Sequence, residues 1–455
     1  MRSDMMVDMV DLAEKVVRYV MRLGPSDCDV LVADSKHVSV EIEKKSMKQA
    51  NTMTDPGVAV RAFKEGCPGF SHCTGHDWPS VKKTADLAVS QAKAGTPDSD
   101  FHGLPEKKRQ SKVKGLFDPK VSKLEPDEIV GMAITLADWA GDDKRISSVN
   151  ASVGAGYGTL AFANSRGITG SQKFSSFDMS SEAVARSGSK MFSGVDMGWT
   201  RQLDRTLFEK VGRSAKEHAI RGLRQTKIDT GDLPVVWDPL AIGFVLSTAI
   251  GGGANAESVQ RKRSYLAGRL GEKIGSESLT IVDDPTVEWA VGSYAFDGEG
   301  TPAFAKQLVK KGELKSYLHD SYTAGKDSVE STGNSSRGGI MWSFRRPPSI
   351  SSSNLVVAEG DSSIQEMLEE TRKGVYLRLT YDYPNLATGE FSGLMMESFR
   401  IDKGELGESI QQATIGVGLL ELFSRIDMVG DDSRDVFGVK TPAIRISKAK
   451  VAGSR

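Results

Sequence analysis

The sequence predicts an α+β fold: a mixed helix/strand N-terminal half followed by a strand-rich, barrel-like C-terminal domain. Three observations carry this. In the first half, helical and strand-like segments mix without the regular βαβ alternation of a doubly wound sheet. From about Thr226 onward, short apolar segments recur between Gly, Pro and Asp turns. The 455 residues are 39% hydrophobic and 26% charged, an ordinary globular composition with enough chain for more than one core. The expected division is 1–225, with sub-parts of about 1–105 and 115–225, and then 226–455.

In chain order, Asp8 to Leu23 places Leu12, Val16, Val20 and Leu23 on one helical face. "DCDVLVADS" and "HVSVEIEKK" alternate and predict a hairpin, and "GVAVRAFKEGCPGFSHCT" predicts a second strand pair turning at glycine. "SVKKTADLAVSQAKAG" is a helix ended by Gly95, and a polar linker follows to about Lys114. A helix is expected near Asp127 to Trp139 and strands from Ile146 to Arg201, with "ANSRG" as a tight turn. A helix from Asp204 to Leu223 closes this half. Beyond it "LPVVWDP" is a strand, and "PLAIGFVLSTAIG" is a buried helix with Pro239 in its first turn. Strand-like segments follow in "SLTIVDDP", "VEWAVGSYAFDGEG", "AFAKQLVKKGELKSYL", "SNLVVAEG", "GVYLRL", "LMMESFRIDKGELG" and "PAIRISKAKV".

Several function classes are disfavoured. The net charge of -1 and the short basic runs without aromatics give no electrostatic basis for a nucleic-acid partner. The N-terminus carries acids every few residues, so it reads as neither signal peptide nor membrane span, and a cytoplasmic protein is expected. Three cysteines, Cys28, Cys67 and Cys73, are too few for a disulfide framework. Cys67, His72, Cys73 and His76 crowd together, but adjacent residues of a strand face opposite ways. Strand-end side chains explain them better than a metal site does. The three glycines Gly251 to Gly253 end a helix instead of opening one, and no Lys-Ser or Lys-Thr follows, which excludes a phosphate-binding loop.

"AESVQRKRSYLAGRLGEKIGSESLTIVDDPTVEWAVGSYAFDGEGTP", followed in order by "GELKSYLHDSYTAGK", "STGNSSRG", "ATGEFSG" and "VGDDS", resembles the TldD/PmbA family. These are metalloproteases also called modulators of DNA gyrase. The resemblance spans nearly the whole chain and implies that family's fold and a cytosolic two-component protease. In it a TldD-type subunit carries HExxxH plus a downstream cysteine, and a PmbA-type subunit (also called TldE) lacks that metal site. Counted back from Gly268-Arg269-Leu270-Gly271, the HExxxH positions fall on Ser247, Thr248 and Gly252. None of these can ligate zinc or polarise its water. The third ligand would lie within "VGDDSRDVFGVKTP", yet no cysteine follows Cys73. No metal or other cofactor is therefore expected in this chain, and zinc is expected in a TldD-type partner.

Other constellations are weaker. His218 reads as an exposed helix residue, and His319 with Asp320 as a hairpin turn. Asp283-Asp284 and the pair Asp297 and Glu299 read as acids bonding their own turns. No G-x-S-x-G elbow supports a serine triad. Loops rich in Gly and Ser, "STGNSSRGG" and "ATGEFSG", are candidate cavity linings, so Gly333, Asn334, Arg337, Gly389 and Phe391, with Glu257 near the degenerate motif, are the expected peptide contacts. Two function classes remain open. One is a PmbA/TldE-like subunit that pairs with a TldD-type subunit and acts on unfolded or extended peptides. The other is a non-enzymatic, homodimeric peptide-binding protein.

Overall fold

The computed structural model describes residues 2–44, 46–338 and 343–453. An antiparallel seven-stranded sheet organises the first half. Its order is Cys67–Thr74, Gly57–Lys64, Asp27–Glu43, Ile146–Asn164, Thr169–Ser187 and Lys190–Thr200, with Ser46–Thr54 pairing separately to Asp27–Glu43. Period-2 alternation sends Cys28, Val30 and Val32, and farther along Val38, Val40 and Ile42, to one face. There helices Arg2–Arg22 and Trp78–Ala94 cover one end of the sheet. Helices Pro126–Gly141 and Arg205–Arg221 cover the other. The opposite face, at Leu31, Ala33, Leu160 and Phe162, is covered by Tyr294, Phe296 and Ala303 from the second half. The two halves thus share a core.

Two expectations change here. Asp27–Glu43 is one continuous strand of 17 residues and not a hairpin. Ser35, Lys36 and His37 include no turn-forming Gly or Pro, and all three stay paired to Ile146–Asn164. On the other edge the strand exchanges its partner Gly57–Lys64 for Ser46–Thr54. The turn lies at Lys44, whose φ is 51°. Ser46–Thr54 is exposed along its length, so it carries no alternation that a sequence reading could find. The polar stretch after Gly95 lacks regular structure as far as Val121, yet it is strapped down. Asn164 donates to the Pro105 carbonyl at 3.0 Å, and Ser111 donates to that of Ala303 at 2.5 Å.

The second half is strand-rich, as expected. A mixed thirteen-stranded sheet runs from the edge strand Glu313–Leu314 to the edge strand Gln225–Thr226, with Val439–Ala452 and Gly231–Trp237 at its centre. Side branches attach through Val439–Ala452, which also pairs with Ile426–Val436 and Thr414–Gly418. Trp237, Val245, Leu246, Ile250, Leu355, Phe391 and Ile444 are among the residues of its main core. The segment "VEWAVGSYAFDGEG" does not form a strand but a buried, irregular loop. Trp289 with φ 64° and Gly300 with φ 85° break the extended run. Arg201 and Asn354 then bond its backbone. No helix among the described residues is long and apolar enough to cross a membrane.

Candidate functional site

The glycine-ended helix begins at Pro239, where the Asp238 side chain accepts from the Leu240 amide at 2.8 Å. Pro239–Leu246 is α-helical and almost wholly buried, and Ser247–Gly252 then continues as a π turn. Its signature is the Gly253 amide donating to the Thr248 carbonyl at 3.1 Å, five residues back. This matters for an H-E-x-x-x-H arrangement. At 3.6 residues per turn, positions five apart diverge by about 140° around an α-helix. The i→i+5 closure of a π turn brings them back toward one face. The backbone geometry suited to two ligands at 247 and 252 is therefore present, occupied by Ser247 and Gly252.

A cleft of about 360 Å³ opens beside this turn. Ser247, Ser351, Ser352, Ser335, Ser336 and the hairpin turn Phe437-Gly438 contribute to its walls. Gly251 packs close to the wall, where a Cβ would stand 2.7 Å from the Ser352 hydroxyl and make it rotate away. Phe437 adopts φ 49°, stays half exposed and meets Trp199 edge-on at 5.5 Å. The segment expected to supply a third ligand thus does reach the same cleft as Ser247, through that turn, and it carries no thiol. Among the described residues no three His, Cys, Asp or Glu side chains come together to hold a metal. Ser247, Thr248, Gly252, Phe437 and Gly438 do not fit zinc, so no chemical step is derived through it.

Of the expected peptide contacts, Glu257 is exposed and paired with Arg261 at 2.9 Å. Asn334 is buried. Its amide donates to Asp283 at 2.8 Å and to the Ser351 carbonyl at 3.1 Å, so it braces the cleft wall from behind. Arg337 is buried against Asp29 at 2.8 Å and the Gly298 carbonyl at 3.1 Å. Gly333, with φ 67°, accepts from the Tyr294 hydroxyl at 2.6 Å. Phe391 is a core residue packed on Trp237. Gly389 and Phe391 border a separate cleft of about 830 Å³ with Arg269. The side chains of Asn334, Arg337 and Phe391 are committed to the fold as placed, which corrects their expected role as contacts. Their neighbours Ser335 and Ser336 are the residues that reach the cleft.

The remaining candidates resolve into structure. Cys73 and His72 pair with Val58 and Ala59 near the end of the strand Cys67–Thr74, and His76 Nε2 lies 3.0 Å from the Ala33 carbonyl. Burial pushes the Cys28 thiol far up, so it is an inert core residue. His218 is only partly exposed. It lies against Phe399, and burial, reinforced by Arg378, holds its pKa down to about 3. Asp320 caps the helix Ser321–Asp327 by accepting from Thr323 at 2.8 Å, where a hairpin was expected. Asp297 does bond its own turn, accepting from the Glu299 and Thr301 amides at 3.0 and 2.8 Å. Burial first, then the charge of Glu299, raises its pKa to about 7. Sequence reading missed Arg201, the serine run after Pro348 and Phe437. A Ser-Ile-Ser-Ser-Ser stretch was visible, but nothing local said that it faces a cleft.

Residues 28–92, 119–223 and 230–453 match, in order, domain 1, the central domain and the C-terminal domain of the PmbA/TldA metallopeptidases. A metalloprotease of Methanothermobacter thermautotrophicus is 29% identical, across 94% of this chain and 95% of its own length. A metalloprotease TldD homolog of Haemophilus influenzae is 25% identical, across 92% and 91%. The crystal structure of TldE from Thermococcus kodakarensis superposes with a TM-score of 0.89 over 97% of this chain and 100% of that one, at 22% identity, a likeness of fold. With the same three domains in the same order and full-length relatives, the chain belongs to the PmbA/TldD metallopeptidase family.

Proposed function

We propose that this chain is the PmbA/TldE-type, non-metal-binding subunit of a TldD/PmbA peptidase that acts on unfolded or extended peptides. In this reading a TldD-type subunit supplies zinc and the chemistry. The observation that supports it is the π turn at Ser247–Gly252. It retains the backbone suited to two ligands five residues apart while presenting a hydroxyl and a bare Cα. A scaffold of this kind shapes a substrate cleft without activating water. The mechanistic role of the chain is then to bind and orient: hydroxyls and backbone amides around the cleft offer donors to an extended chain, which tolerates many sequences.

Reconstitution tests this. The purified chain alone leaves an unfolded peptide intact. Adding it to a TldD-type partner raises cleavage above that of the partner alone, and a chelator abolishes the activity. Metal-independent hydrolysis by the lone chain, lost on Ser247→Ala, overturns the proposal and makes Ser247 a nucleophile.

A further inference from the structure

The cleft beside Ser247 has an unusual charge inventory. Eight serines, three glycines, Val291, Tyr294, Ile350, Phe437 and Arg201 line it, and among the described residues no Asp, Glu, Lys or His does. Arg201 is its single charge, and it is only 4% exposed. Its Nε donates to the Ala290 carbonyl at 3.0 Å, one Nη to Ser175 at 3.0 Å, and the other Nη to Val291 at 2.6 Å and Ser293 at 2.8 Å. These bonds use four of the five guanidinium N–H groups. All the acceptors are backbone carbonyls, and among the described residues no carboxylate pairs with Arg201. The other deeply buried guanidiniums differ. Arg61 and Arg337 pair with Asp29, and Arg378 pairs with Asp196 and Glu397.

A buried charge without a counter-ion is costly to keep. Burial alone lowers the pKa of Arg201, to about 10, so it remains a cation at neutral pH. Idle hydroxyls stand in the same wall: Ser335 is 2% exposed and its hydroxyl has no partner. Buried polar groups left unsatisfied in a folded protein call for a reason. A cleft with a positive wall, many hydroxyl donors and no acid is complementary to an anion. Its volume suits one end of a peptide and excludes a folded domain.

We propose that this cleft receives the C-terminal α-carboxylate of an extended peptide, with Arg201 supplying the compensating charge and Ser335 and its neighbours the hydrogen bonds. The proposal rests on the peptidase-subunit reading and adds to it a preference for chain ends over chain interiors. A free inorganic anion shares the same chemistry, and the test separates the two.

Fluorescence anisotropy on the full chain compares N-terminally labelled, unstructured peptides that differ only in a free or amidated C-terminus. The free acid should bind about tenfold or more tightly than the amide, the scale of a hydrogen-bonded charge. Ser247→Asp, at the half-buried rim, sets a negative charge against the incoming carboxylate and should erase that preference, with a melting temperature near wild type. Arg201→Gln should erase the preference as well, with a lower melting temperature from its lost backbone bonds. Inorganic phosphate at millimolar concentration should compete only weakly. Equal affinity for acid and amide overturns the proposal, as does phosphate binding without peptide binding. If neither peptide binds yet the chain still raises cleavage by a TldD-type partner, the carboxylate site falls and the subunit reading stands. If the chain raises no cleavage, the subunit reading itself fails.

Discussion

Replacing Arg337 with Met separates a structural role from a ligand-binding one. The Arg337 side chain is 0% exposed, as is that of Asp29, and the 2.8 Å bond between them joins positions 308 apart in the chain. Removing one partner of a buried ion pair costs about 3–5 kcal/mol, because the other charge is left behind. Here Asp29 keeps Arg61, which also reaches Glu299 at 2.9 Å, so the low end applies. The Gly298 carbonyl, bonded at 3.1 Å, loses its donor as well, at about 1 kcal/mol. Met keeps much of the side-chain volume, so a cavity adds little. The expected loss is about 3–4 kcal/mol, or a melting temperature lower by about 3–4 °C at the unfolding entropy of about 1 kcal/mol/K for a chain of 455 residues. Scanning calorimetry at neutral pH reads this. The double variant with Asp29→Asn should lose less than the sum of the single losses, by about 1 kcal/mol or more. An Arg337→Met protein that melts like wild type but binds peptide poorly would refute the assignment of this residue to the fold.

Asp297 sets a pH dependence. Its folded pKa, about 7, lies above the ordinary 3.8, so the folded state holds the proton more tightly. The stability this contributes is complete below about pH 4 and is lost as pH rises through 7. Asp297→Asn should therefore flatten the decline in melting temperature between pH 5 and 8, at a fixed cost for the mismatched Ser335 amide, which donates to Asp297 at 3.0 Å. Gly69→Ala should destabilise by about 3 kcal/mol in urea titration, since its Cβ would stand 2.0 Å from the Ala88 carbonyl of the docked helix. The triple change Ser247→His, Thr248→Glu and Gly252→His should yield neither a tightly held zinc by metal analysis nor a peptidase. A Cβ at 252 meets Leu386 at 2.9 Å, and the turn at Phe437 offers no thiol.

The sequence by itself was enough for whatever depends on local pattern. Helical periodicity located Trp78–Ala94 and Arg205–Arg221 within a residue or two. Pro239 and the glycines bracketed the buried helix and its end, and Ser247, Thr248 and Gly252 were singled out from the family resemblance without coordinates. Where local pattern was silent or ambiguous, tertiary structure decided. Asp27–Glu43 became one strand because Ile146–Asn164 pairs along almost all of it, although its alternation also allowed a hairpin. "VEWAVGSYAFDGEG" is apolar because it is buried, and a buried loop shows the same composition as a buried strand. Asn334, Arg337 and Phe391 lie in segments rich in small residues, which suggested a cavity lining; their burial came from partners at Asp283, Asp29 and Trp237, 51 to 308 positions away in the first two cases. The π turn and the solitary charge of Arg201 were likewise invisible in one dimension. The first is set by how the chain is packed past Leu246. The second depends on which carboxylates fold close to a cation, and that is a property of distance in space and not of order along the chain.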